Sequence, residues 1–210
     1  MPRSTYRSGG NDPGLRRLLD VDGIGSVKFG QSPAVVAARL RRLFGPPVGP
    51  SQIPNSYRRD ACGFSWEEWQ GVGAASDGRL FAAELAVEFR DARFVGYDYG
   101  PNDFQTDFQN DWSQYASHPM MVATGRGLAV GDPLARGRRL YGRAFVVTTR
   151  MQGTPPNPRL KRLPVWEAST ASGGIEGGIG TVSLVGDAFG RHRRGISGIS
   201  AGVGPITPCK

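Results

Sequence analysis

The residues whose types could do chemistry are few, and their spacing gives them little to do together. The two histidines, His118 in Ser117-His118-Pro119 and His192 within an arginine run, lie in unrelated contexts. Positive neighbours would lower the proton affinity of His192 and make it a poor base. The nearest acid pair, Glu67-Glu68, is adjacent on a strand-like segment, so the two side chains point to opposite faces and cannot cooperate. Cys62 and Cys209 are the only thiols, too few for a zinc site and not spaced as a redox pair. Gly23-Ile24-Gly25 and Gly125-Arg126-Gly127 continue neither as a dinucleotide fingerprint nor as a phosphate loop, and no Gly-x-Ser-x-Gly elbow is present. An enzyme built on Asp98, Asp103 and His118 would need those groups to converge in one pocket. The expectation is a protein without catalysis, cofactor or metal.

What the chain does show is a signature that occurs twice. Phe29-Gly30-Gln31-Ser32-Pro33 leads through an apolar segment to Arg41-Arg42-Leu43-Phe44-Gly45, and Val130-Gly131-Asp132-Pro133 leads to Arg138-Arg139-Leu140-Tyr141-Gly142. Ser32 and Asp132 read as N-caps whose side chains accept from first-turn amides, with a proline at the first helical position. Gly45 and Gly142 read as terminators. Gly137 inside the second helix is expected to weaken it by roughly 1 kcal/mol relative to Ala.

After each helix come strand-like segments. Leu85, Val87 and Phe89 alternate with Glu84, Ala86 and Glu88, Asp91-Ala92 makes a tight connection, and Val95, Tyr97 and Tyr99 return on one face. The second copy would supply Val165 to Ser169, Gly178 to Val185 and Gly195 to Val203, with Trp166 answering Trp66 and a bulge at Gly198. The expected fold class is α+β: two tandem units, each a short helical segment packed on an antiparallel sheet of about four strands. The expected division is a flexible segment 1–18, a first unit 19–100, a linker 101–121 and a second unit 122–210.

The run from Phe29-Gly30-Gln31-Ser32-Pro33 through helix, glycine and Trp-bearing strand to Leu85-Ala86-Val87-Glu88-Phe89-Arg90-Asp91-Ala92-Arg93-Phe94-Val95-Gly96-Tyr97 resembles one repeat of the beta-lactamase inhibitor protein and related small outer-membrane-assembly lipoproteins. It is also similar to exported actinobacterial proteins of unassigned function. The resemblance, over residues 19 to 203, implies two tandem units whose sheets form a concave surface that grips a protein partner, and it implies export. The chain departs from the inhibitor in length and in having only two cysteines, so no target carries over. Against export, the first residues are polar and hold no apolar core of a signal peptide, which would leave the chain in the cytoplasm. In an oxidising compartment Cys62 and Cys209 could pair; otherwise they are two free thiols.

Composition adds a direction. The chain has 210 residues, 26 Lys and Arg against 18 Asp and Glu, and 31 glycines. Residues 118–210 carry 13 basic groups against 4 acidic ones, in runs such as Arg136 to Arg143 and Arg191 to Arg194. That excess suits an anionic partner, although no nucleic-acid motif accompanies it, so nucleic acid is not the expected one. No apolar run approaches the roughly 20 residues of a membrane span. Between the units, Phe104, Phe108, Trp112 and Tyr115 fall at helical spacing beside Asp103, Asp107 and Asp111. The expected partner contacts are Trp66, Trp69, Tyr97, Tyr99, Phe104, Trp112 and Tyr115, rimmed by Arg191, Arg193 and Arg194. Trp66 and Trp69, three apart on a strand, face opposite ways. The expected function is protein binding on a sheet surface; the alternative is an envelope structural or assembly factor that holds a polyanion or a lipoprotein.

Overall fold

The computed structural model describes residues 16–47, 64–101, 119–152, 161–170, 173–182 and 194–202. Phe104, Trp112, Tyr115, Arg191, Arg193, Cys62 and Cys209, with Phe108 and both histidines, lie outside the described residues.

The short strands β1 (Arg16–Asp20), β2 (Gly23–Ile24) and β3 (Val27–Lys28) lead to helix α1 (Pro33–Phe44). Long strands β4 (Phe64–Ala74), β5 (Leu80–Arg90) and β6 (Arg93–Pro101) follow, then β7 (Val122–Thr124) and helix α2 (Leu134–Tyr141). The chain continues with β8 (Phe145–Gln152), β9 (Lys161–Thr170), β10 (Gly173–Thr181), β11 (Arg194–Ile196) and β12 (Ile199–Gly202). The long strands make one antiparallel sheet in the order β4-β5-β6-β12-β10-β9-β8, with β11 also paired to β10. A small sheet, β3-β2-β1-β7, joins β1 to β7 in parallel.

Strand alternation decides which face is buried. Trp69, Leu85, Tyr99 and Ile199 are opposite one another across four strands, and Trp166 and Ile175 face the same way on β9 and β10. Val36, Leu40 and Phe44 of α1 and Tyr141 of α2 join them in a single core, so both helices cover the same face. Burying such aliphatic and aromatic side chains contributes about 1.5–3 kcal/mol each.

The helix starts differ from expectation in one respect. Ser32 is the N-cap of α1 but makes no side-chain cap bond, and in α2 Pro133 takes the N-cap position that Asp132 was expected to hold. Asp132 is committed elsewhere. Both helices do end at a glycine with positive φ, 83° at Gly45 and 58° at Gly142. Gly137 also has a packing role: a Cβ there would lie 2.4 Å from the Phe145 ring.

The hairpin β5-β6 turns at Asp91 and Ala92, both with positive φ, as a two-residue turn of type I′ requires. The register shifts after Glu88, so Phe89 pairs with Phe94 and Glu88 with Gly96. Val95 is the extra residue of this bulge, and Phe94 takes the buried place that alternation gave to Val95.

The two signatures match in backbone detail. Gly30 N donates to Phe94 O at 2.7 Å and Phe94 N to Gln31 O at 2.8 Å. Likewise Gly131 N donates to Ile196 O at 2.8 Å and Ile196 N to Asp132 O at 2.9 Å. Gly30 and Gly131 have φ of 86° and 87°. The step of 102 residues from Phe94 to Ile196 also carries Tyr97 to Ile199 and Tyr99 to Ala201, and the pairs Tyr97↔Ala201, Asp98↔Ser200 and Tyr99↔Ile199 map onto one another under it. On either side of this seam stand β4-β5-β6 and β9-β10-β12, with β8 one strand further out.

Candidate cleft between the helix start and the first hairpin

The turn joining β4 to β5, residues 75–79, reaches the start of α2. Asp132 is buried there and binds in two directions. Its Oδ1 accepts from the Ser76 hydroxyl and, at 3.3 Å, from the Ser76 amide; its Oδ2 accepts from Ala129 N at 2.9 Å. Arg136 Nε lies 3.1 Å from Oδ2, close enough for an ion pair but not aligned for a hydrogen bond, while its Nη2 donates to Gly127 O at 3.2 Å. Burial raises the Asp132 carboxyl, and the bonds from Ser76 and Ala129 with the Arg136 charge pull the other way. The carboxylate thus ties a turn of the first half to the helix of the second.

Around this tie lies a cleft of about 510 Å³, lined by Ser76, Asp77, Arg79, Asp132, Pro133, Arg136, Arg139 and Arg194 among others. Arg79 is held by Asp77 at 2.5 Å and Arg136 by Asp132. Arg139, on α2, and Arg194, at the start of β11, have no carboxylate partner among the described residues. Four guanidiniums from three separate stretches of chain face two carboxylates, a surplus positive in sign. Arginine's planar fork of donors suits carboxylate and phosphate oxygens.

The expected contacts fall elsewhere. Trp69, Tyr97 and Tyr99 are buried, and their polar atoms serve the core: Trp69 Nε1 donates to Gly45 O at 3.1 Å, Tyr97 OH to Asp20 O at 2.9 Å and Tyr99 OH to Met120 O at 2.7 Å. None of the three stands on an accessible face, because a large ring with a satisfied polar tip gains more inside than at the surface. Burial pushes the Tyr97 and Tyr99 hydroxyls up. Trp66 is half-buried on the face away from the helices, opposite Glu88. Trp166 does not answer Trp66: it lies on the helix-covered face, is buried, and donates through Nε1 to Gly198 O at 3.2 Å, and the strand register sets Ala168, not Trp166, at the place of Trp69.

That outer face carries carboxylates. Glu68 and Glu88 are buried on it, and each keeps one oxygen without a hydrogen-bond partner. Burial, helped by the charge of Asp98, pushes the Glu88 carboxyl up to about 7. Glu67 points to the helix side, as adjacent strand positions must. Among the described residues no three of His, Cys, Asp and Glu are grouped to hold a metal ion, and no helix is long and apolar enough to cross a membrane.

Sequence reasoning noted the arginine runs of the second half but missed the cleft. Of its residues only Arg194 was singled out as a contact; Arg79 comes from a turn with no signal of its own. No family model, curated protein or solved structure matches the chain.

Proposed function

We propose that this chain is a non-catalytic binding protein that receives an acidic segment of a protein partner in the arginine-lined cleft. The observation that carries this reading is the pair Arg139 and Arg194, two cations without a carboxylate partner among the described residues, beside two arginines already oriented by Asp77 and Asp132. Asp77 and Asp132 also argue for separated carboxylates over a continuous phosphate chain, whose denser charge they would repel.

Two tandem units accompany this reading. The matched bonds of Gly30 and Gly131, and the pairing of β6 with β12 that maps onto itself, support duplication of one helix-and-sheet unit about a local twofold. The cleft then lies where the first hairpin of one unit meets the helix start of the other. A resemblance to the beta-lactamase inhibitor type fits helices laid on an antiparallel sheet, with the partner surface moved from the sheet to its end.

The test is fluorescence anisotropy with labelled hexaglutamate and labelled inorganic polyphosphate. Hexaglutamate is expected to bind, and Arg139→Ala with Arg194→Ala to weaken binding by tenfold or more, consistent with two charge-assisted contacts. Absence of hexaglutamate binding, or an unaffected double variant, would contradict the proposal. Polyphosphate bound more tightly through the same two arginines would instead favour the polyanion-holding envelope factor.

A further inference from the structure

The two edges of the main sheet are unlike. Along β4, Pro119 forms a bridge with Val72, and Met120 N donates to Val72 O at 2.8 Å. At the other edge, β8 runs through Val146, Val147, Thr148, Thr149 and Arg150, five consecutive exposed residues. Val146 is 52% exposed and Val147 39%, and Leu163, opposite Arg150 on β9, is 39% exposed. Among the described residues β8 pairs with β9 alone, and β-branched residues in an extended, unpaired edge are a template for strand addition, which proteins ordinarily block with a charge, a proline or a bulge. The only charge in this stretch is Arg150. It is turned inward along the sheet, donating to Glu176 at 2.8 and 2.7 Å and to Glu167 at 3.0 Å, on the second and first strands in from the edge. The edge has lost its guard to an internal ion-pair network.

We propose that β8 is the pairing edge of a symmetric dimer, in which β8 of a second copy adds antiparallel with Thr148 on the twofold axis. This register uses all five exposed residues. It places Thr148 opposite Thr148, Val147 opposite Thr149 and Val146 opposite Arg150, so no like charges meet and β-branched residues face one another at the centre of the junction. An axis on Arg150 would set arginine against arginine. An axis perpendicular to the sheet keeps the helix-covered faces on one side, so the apolar face continues across the junction. The second copy is preferred to an unrelated peptide because the edge is complementary to itself. The proposal is independent of the cleft.

Sedimentation velocity over a concentration series tests it. The wild type is expected to pass from monomer to dimer, more readily at high salt, which screens the net charge of +8 on each copy. Thr148→Lys and Thr148→Glu, each placing like charges directly opposite, are expected to stay monomeric, and an equimolar mixture of the two to form the heterodimer. As a second measurement, Thr148→Cys in a chain with Cys62 and Cys209 changed to Ser is expected to form an intermolecular disulfide under oxidation, the Cα separation across such a pair being within its reach. A wild type monomeric at every concentration, a Thr148→Lys dimer as firm as the wild type, or Thr148→Cys that does not cross-link would each overturn it.

Discussion

Glu88 lies on the face of β5 away from the helices, buried, with one oxygen unpaired and Asp98 nearby. Its pKa of about 7 stands above the ordinary 4.5, so between those values the folded state binds more protons than the unfolded one. Stability from this group is full below about 4.5 and is lost as pH rises through about 7. The loss amounts to roughly 3 kcal/mol at most, from 1.36 kcal/mol per pH unit. Urea denaturation of Glu88→Gln should therefore give higher stability than wild type at pH 8, little difference at pH 4, and a flatter profile between. A wild-type profile that rises from pH 5 to 8, with the variant following it, would show that Glu88 is not the group in question. The sequence placed Glu88 on the polar side of an alternating strand, and the strand does alternate. Its burial was not legible, because alternation reports which face a side chain takes and not what lies over that face.

At the scale of elements, local chemistry was legible where it is self-contained. The hairpin β5-β6 follows from period-two alternation and a two-residue turn, and both helices stop at their glycines because only a positive φ closes them there. Tertiary packing decided the rest. A bulge at Val95 turned Phe94 inward, where it meets Phe29 edge to face with ring centroids 4.9 Å apart. The strand β8 went unrecognised because its β-branched run lacks alternation, being exposed on both sides over five residues. Gly137 reverses its apparent meaning. Helix propensity alone would have Gly137→Ala gain about 1 kcal/mol, but the new methyl would meet Phe145 carbons at 2.4 and 2.5 Å. Overpacking of this kind typically costs 1–3 kcal/mol. Thermal unfolding of Gly137→Ala is expected at a lower temperature than wild type, whereas in a Phe145→Ala background the same substitution should stabilise. A stabilised single variant would mean that the Phe145 ring does not sit against α2.

Among the described residues one large sheet carries the main core, crossed at its centre by the pairing of β6 with β12 and tied at its end by Asp132. That arrangement explains why the candidate site could not be seen in the sequence. Its cations are Arg79, Arg136, Arg139 and Arg194, which only the folded chain brings together. The basic second half was legible as composition; the contribution of a first-half turn was not. The most direct measurement is amide hydrogen exchange of the wild type with and without hexaglutamate. The cleft reading predicts slowed exchange confined to residues 76–79, the stretch from Gly131 to Arg139, and 194–196. Slowing centred instead on β8 and β9, or on the outer face around Trp66 and Glu88, would contradict it.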